Sequence, residues 1–243
     1  QLLAAVQGRP LRVNRNERMA VVREERGAWE KSLKEMSCVE GQPIKPRRAL
    51  WEISRALPRE TSVVCDVGNV IGTGSAYFSF EETRQWFGAG NLGGIGVGFP
   101  SALGVKIARP TKPVVALVGD GAWSMCMQEL MTAVREKINL VAVVLNNSVY
   151  GAERRNQYDF FGQRYFWTDL ENPDFAAIAR DMGAGGFRVE AAEDLGPTLH
   201  EALNANRPVV VDVILDPTAL SEPYRRDAMR MPTRLLPHYA ASA

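Results

Sequence analysis

The sequence predicts an α/β protein: a parallel sheet flanked by helices. Three observations carry this. Runs such as "VVALVG" and "LVAVVLN" are apolar and rich in β-branched residues without polar alternation, as in strands buried on both faces. Segments of helical period separate these runs, so consecutive strands join by right-handed crossovers into a parallel sheet. The hydrophobic content of 46% over 243 residues is ample for a buried core.

Each element follows in order. From Leu11 to Met36 the chain is highly charged and thinly apolar, and "GQPIKPRR" follows, so residues 1–45 read as a connecting arm from an upstream domain. The start "QLLAAVQGRP" lacks an initiator Met and reads as a piece of something longer or as a processed terminus. Helix signals begin at Pro46 in "PRRALWEISRALP". "TSVVCDVGN" gives a strand, "FPSALGVKIA" a helix, Val114 to Gly119 a strand, Ser124 to Lys137 one helix and Leu140 to Asn146 the next strand. The alternation continues through "PDFAAIARDMGA", "GGFRVE", "AEDLGPTLHEALNAN" and "PVVVDVIL". Residues 46–215 therefore form one α/β domain. Residues 216–243, with four prolines after Asp216 and no strand pattern, read as a C-terminal tail over the surface.

Charge and cysteine content narrow the class. Lys+Arg 29 against Asp+Glu 28 leaves a net charge of +1, so no global field favours nucleic acid or an anionic membrane. Any anion site must be local. No apolar run approaches the roughly 20 residues of a membrane span. Cys38, Cys65 and Cys126 are odd in number and lack metal-ligand spacing, so they read as buried, reduced thiols of a cytoplasmic protein. The sequence shows no internal repeat.

The stretch Gly119–Asn147 spans one strand–helix–strand unit, which puts Asp120 and Asn147 at the same end of neighbouring strands. Ligands of open parallel sheets bind beyond the carboxyl ends of the strands, which lie about 4.8 Å apart, so the carboxylate and the amide oxygen can share one coordination shell. Oxygen ligands suit Mg²⁺ or Ca²⁺. Because Mg²⁺ takes few protein carboxylates and fills its shell with waters and phosphates, so sparse a set implies a phosphorylated partner. Gly119 and Gly121 let phosphate approach the backbone, and the N–H groups of Gly121 and Ala122 face it at the helix start.

This constellation resembles the cofactor motif of thiamine diphosphate enzymes. The resemblance implies that Asp120, Asn147 and the carbonyl of Val149 hold Mg²⁺. It extends to "CDVGN", whose Gly68 and Asn69 would meet the diphosphate, and to "GNLGGIGVGFPSALGVKIA". There Ile95 would wedge under the cofactor and bend it, and the Gly93 carbonyl would accept the 4′-amino hydrogen. Ala152 and Glu153 would also meet the cofactor. From about Pro46 to Leu215 the chain looks like the C-terminal, diphosphate-binding domain of the acetolactate synthase and pyruvate decarboxylase superfamily. Within it, "GDGAWSM", "YGAERRNQYDFF" and "EPYRRDAMRMPTRLL" are similar to the group of sulfoacetaldehyde acetyltransferases, which form acetyl phosphate and sulfite from sulfoacetaldehyde and phosphate.

The resemblance also implies what these residues lack. The family's activating glutamate comes from a separate pyrimidine-binding domain, often of a neighbouring subunit, and no segment here supplies it. A homodimer or homotetramer is expected, with Arg225 or Arg226 of the tail facing an anionic substrate or phosphate. A carboligase or 2-oxo acid decarboxylase, and a non-catalytic cofactor-binding subunit, remain as alternatives.

Simpler readings stand beside these. "GAGNLG" satisfies the dinucleotide-binding spacing, but polar "EETRQWF" precedes it instead of a strand. Met125, Met127, Leu130, Met131 and Val134 read as the core face of one helix. Glu129 could approach the cofactor or cap that helix. Arg154 and Arg155 either touch phosphate or form a solvated basic turn. His200 and His238 read as structural or solvated.

Overall fold

A computed structural model describes residue 7, residues 14–88 and residues 92–220. The chain divides into two compact units, Gln1–Val39 and Glu40–Ala243. In the first unit, helix α1 (Arg15–Ser37) starts at Asn14, whose side chain accepts from the Asn16 amide. Arg26–Glu30 and Lys31–Glu35 pair one helical turn apart on its surface.

The second unit holds a six-stranded sheet in the order β2-β1-β3-β4-β6-β5, parallel throughout. Its elements in chain order are α2 (Pro46–Ala56), β1 (Ser62–Cys65), α3 (Asn69–Gly74), β2 (Trp86–Gly88), α4 (Gly98–Ala108), β3 (Val114–Gly119), α5 (Asp120–Trp123) and α6 (Glu129–Arg135). There follow β4 (Val141–Asn146), α7 (Gly151–Phe160), α8 (Phe175–Asp181), β5 (Gly185–Val189), α9 (Leu195–Asn204) and β6 (Val209–Ile214). The α/β expectation holds, and the apolar runs are the central strands.

Both faces of the sheet are covered, which is why those strands carry no polar alternation. On one face Val114, Ala116 and Val118 of β3 pack with Ala142 and Val144 of β4, beneath Phe99, Ala102, Trp123, Leu130 and Phe175. Phe99 meets Trp123 edge to face, ring centroids 5.1 Å apart at 80°. The other face is closed by α2 and α9, which pack on each other and bury Leu50, Ile53, Leu195 and Leu199. Burying each such side chain contributes roughly 1.5–3 kcal/mol.

Four expectations are corrected. The helix expected over Ser124 to Lys137 is broken: α5 ends at Trp123, turns cover 124–128, and α6 starts at Glu129. Met125 and Met131 are therefore exposed rather than core, while Leu130 is buried and Met127 and Val134 pack against the core edge. "EETRQWF" does contain a strand, the short edge strand β2, which pairs with β1 alone. Buried Gln85 organises its approach, accepting from the Glu81 and Glu82 amides and donating to the Arg59 carbonyl. Among the described residues the next helix after Gly88 is α4, which starts at Gly98. Finally, Cys38 is exposed, whereas Cys65 and Cys126 are buried and burial pushes both thiols up, Cys126 to about 12. Among the described residues no helix is long and apolar enough to cross a membrane.

Candidate cofactor site

The carboxyl ends of β1, β3 and β4 converge on the loops that follow them. Asp120, directly after β3, is only 2% exposed. Its Oδ1 accepts from the Gly121 amide at 2.9 Å and its Oδ2 from Asn172 Nδ2 at 2.8 Å. Burial raises its pKa, opposed by the Gly121 amide, the Asn172 side chain and the Ser148 and Val149 backbone. Among the described residues no Lys, Arg or His pairs with it. A buried carboxylate held by donors but matched by no cation fits a site for a metal ion.

Asn146 and Asn147 divide the work. Asn146 Nδ2 donates to Asp212 Oδ1 at 2.9 Å, and its Oδ1 accepts from Asn172 at 2.9 Å, so this amide is committed to the scaffold. A Cβ on Gly151 would stand 3.6 Å from Asn147 Nδ2 and 2.6 Å from Asn69 Nδ2, which brings the loops after β1 and β4 together. Asn69 Oδ1 is a buried acceptor without a hydrogen-bond partner, the kind of orphan a bound donor or cation would satisfy. Gly68, preceding it at φ 111, starts α3 in a conformation that favours glycine.

The remaining residues complete the rim. A Cβ on Gly121 would stand 2.8 Å from Tyr150 Cδ1, so only glycine fits beneath that ring, whereas a Cβ on Gly119 would meet nothing. Ala122 is buried in α5. The turn carrying Val149 is fixed by Tyr150 N donating to Thr168 O and Leu170 N to Ser148 O, each at 2.8 Å. Among the described residues no backbone amide closes on the Val149 carbonyl. Ala152 and Glu153 form the first turn of α7, where Glu153 accepts from Asn156.

Asp66 is the residue that sequence reasoning passed over, although it lies inside the quoted "CDVGN". Fully buried after β1, its carboxylate accepts from the Val67 amide at 2.7 Å, the Gly96 amide at 3.1 Å and the Gly98 amide at 2.5 Å. It thereby ties the loop of Gly93 (φ 63) and Ile95 to the end of the sheet. Ile95 is 41% exposed and so presents an apolar side chain outward. An acid directly after an apolar strand was the available signal.

Other expectations resolve locally. Glu129 accepts from the Thr132 hydroxyl one turn along α6, a pairing within the helix, and the helix N-terminus carries no side-chain cap. Arg154 pairs with Asp169 and lies over Tyr165, and Arg155 pairs with Asp159 and lies over Tyr158, so both guanidiniums are engaged within the chain. His200 stands on α9. Arg225, Arg226 and His238 lie outside the described residues.

Comparison with known proteins shows the family. Residues 66–213 match the family described as "Thiamine pyrophosphate enzyme, C-terminal TPP binding domain". The chain is 40% identical to a sulfoacetaldehyde acetyltransferase of Castellaniella defragrans, over 93% of this chain and 41% of that protein. It is 38% identical to a sulfoacetaldehyde acetyltransferase of Alcaligenes xylosoxydans xylosoxydans, over 82% of this chain and 34% of that one. Among solved structures, the thiamine diphosphate-dependent 4-hydroxybenzoylformate decarboxylase of Rhodococcus jostii RHA1 superposes with a TM-score of 0.69 at 25% identity, covering 73% of this chain and 34% of its own. The chain thus spans 41% or less of each of these proteins.

Proposed function

The chain belongs to the thiamine pyrophosphate enzymes, as their C-terminal cofactor-binding domain, and from that membership we propose that it serves a sulfoacetaldehyde acetyltransferase. The reaction is sulfoacetaldehyde and phosphate giving acetyl phosphate and sulfite. The C–S bond breaks with its electron pair leaving on sulfite, the aldehyde carbon is oxidised to the acyl level, the neighbouring carbon is reduced to a methyl group, and phosphate takes the acetyl. No external oxidant is needed. The single observation that carries this choice of substrate is the 40% identity over nearly the whole chain to a protein of that name.

In this reading Asp120, the Asn147 amide oxygen and the Val149 carbonyl hold Mg²⁺ against the diphosphate. Gly68 and Gly119 let the diphosphate approach the backbone, Gly121, expected to do the same, instead seats the Tyr150 ring and gives its N–H to Asp120, and Asn69 would donate to the diphosphate from Nδ2. The chemistry supplied by bound thiamine diphosphate is a carbon nucleophile that adds to a carbonyl and stores the electron pair released. Ile95 and the Gly93 carbonyl orient its pyrimidine, and Asp66 holds their loop still. The activating glutamate comes from a pyrimidine-binding domain outside this chain, in a homodimer or homotetramer in the cytoplasm. Arg225 or Arg226 meets an anionic substrate.

The test is an assay of the intact enzyme with sulfoacetaldehyde and phosphate, reading sulfite and acetyl phosphate. Their absence, with carbon dioxide released from a 2-oxo acid, replaces the transferase by the decarboxylase or carboligase reading. In the same assay Arg225→Ala or Arg226→Ala should raise the apparent KM for phosphate by about tenfold, the loss of one charge-assisted hydrogen bond. A change below about twofold in both removes the tail from the site.

A further inference from the structure

The end of the sheet opposite the cofactor site carries a cavity of about 430 Å³, between the beginnings of β3, β4 and β6 and the ends of α4, α6 and α9. Four cationic residues line it, Lys106, Lys112, Lys137 and Arg207, and no Asp or Glu does. Among the described residues none of the four is in an ion pair. Lys106 Nζ is held by carbonyls alone, donating to Pro110 O at 2.9 Å and Lys112 O at 2.8 Å, and burial lowers its pKa.

Cations are expected where helices end, because each C-terminus carries about half a negative charge. Three such ends amount to roughly −1.5, against four positive side chains, so a surplus of about 2.5 positive charges remains. Lys137 adds a second sign. It occupies a left-handed position (φ 53) after α6, closed by Ile138 N donating to Ala133 O and Lys137 N to Val134 O, where glycine is the easier residue. Asn206, also lining the cavity, is likewise left-handed (φ 48) after α9.

The volume says what kind of anion fits. At about 430 Å³ the cavity lies in the range of small-molecule sites. An inorganic ion would leave most of it empty and its apolar wall of Ile107, Ile138 and Leu203 uncovered. We propose that this cavity is a second anion site, which takes an organic molecule bearing a phosphate or diphosphate group, with the phosphate on the lysines and the organic body on the apolar wall. It goes beyond the proposed function and does not rest on it.

The test is calorimetric titration of ADP into the intact protein with the cofactor site saturated by thiamine diphosphate and Mg²⁺. One equivalent should bind, and inorganic pyrophosphate should bind several-fold more weakly. The double variant Lys112→Glu/Lys137→Glu should weaken ADP by about tenfold or more, the loss of charge-assisted contacts, with thiamine diphosphate affinity unchanged. Lys137→Gln and Arg207→Gln, at exposed side chains, should each weaken it measurably even where the double variant folds poorly. Asp120→Ala should leave ADP binding intact. The proposal is overturned by an absence of ADP binding at millimolar concentration, by affinity unchanged in the charge variants, by equal affinity for pyrophosphate, or by loss of ADP binding in Asp120→Ala, which would place ADP in the cofactor site.

Discussion

Asn172 donates its amide to the Asp120 carboxylate at 2.8 Å across 52 residues of sequence, and the same nitrogen reaches Asn146 Oδ1 at 2.9 Å. One side chain from the loop before α8 thus joins the ends of β3 and β4. Through Asn146 the chain of bonds continues to Asp212 on β6, whose Oδ2 lies 3.6 Å from Arg188. The orientation of the candidate metal ligand is therefore set by the sheet rather than by its own loop.

Asn172→Ala should leave Asp120 Oδ2 and Asn146 Oδ1 short of a donor, costing about 1–3 kcal/mol each where no water replaces it. Cofactor affinity should fall along with thermal stability. Asn172→Ala with unchanged Mg²⁺-dependent affinity for thiamine diphosphate would show that Asp120 needs no external positioning.

Asp120→Ala should weaken Mg²⁺-dependent binding of thiamine diphosphate by more than about tenfold, the usual loss for one metal ligand or its support. The direction of the Asp120 pKa adds a pH dependence. Burial disfavours its ionised form in the free protein, so on acidification the site loses its charge, and with it the metal, at higher pH than an ordinary carboxylate would. The rise in Tm produced by cofactor and Mg²⁺ should accordingly be larger at pH 7 than at pH 5. Equal shifts at both pH values count against Asp120 as a ligand.

The central strands were legible because burial on both faces leaves its mark on every residue, as in Val114–Gly119. Asp120 and Asn147 were legible because two consecutive parallel strands must end on the same side. Asp66 and Asn172 were not, since each acts through one hydrogen-bonding side chain on backbone or side chains far away in sequence, and no period encodes that. The break in the helix after Trp123 was hidden by methionines whose spacing suits a helix but which face outward at 125 and 131. Edge strand β2 was hidden by its length of three residues and by the polar Gln85 that anchors it.

Gly98→Ala should be costly. The added methyl would stand 2.7 Å from Asp66 Oδ2 and 3.1 Å from Asp66 Cα, so backbone must move. A loss of about 1–3 kcal/mol is expected for such overpacking. Because Asp66 also holds the Gly96 amide, cofactor affinity should fall with it. A Tm within a degree of the parent would show that the loop can shift away without cost.

Burial lifts the Asp212 carboxyl to about 6, against the pull of Asn146, the Arg188 guanidinium and the Phe175 amide. Its unfolded value is about 3.9. A group raised in this way favours the folded state most when protonated, so its contribution is fullest below about pH 4 and is lost as pH rises through 6. Asp212→Asn removes the ionisation but places an amide among donors, so it should be less stable than the parent at low pH. That deficit should shrink by an amount on the order of 3 kcal/mol between pH 4 and pH 7. A deficit that stays constant or grows would mean that the carboxylate is ionised throughout.

The loop that Asp66 fixes exposes Leu92, Ile95 and Val97, and Met125 stands against it, its Cβ 3.0 Å from where a side chain on Gly96 would begin. Phe166 and Trp167, in the segment after α7, are 71% and 84% exposed. Apolar groups presented by a tethered loop lose little entropy when covered, so this face is suited to a partner surface. The 243-residue chain alone should therefore self-associate, and Ile95→Asp should shift it toward the monomer in light scattering without lowering Tm, because Ile95 is not part of the core. In the intact enzyme the same substitution should impair both subunit assembly and cofactor affinity. A parent chain that is monodisperse and monomeric at high concentration would refute the assignment of this face to a partner.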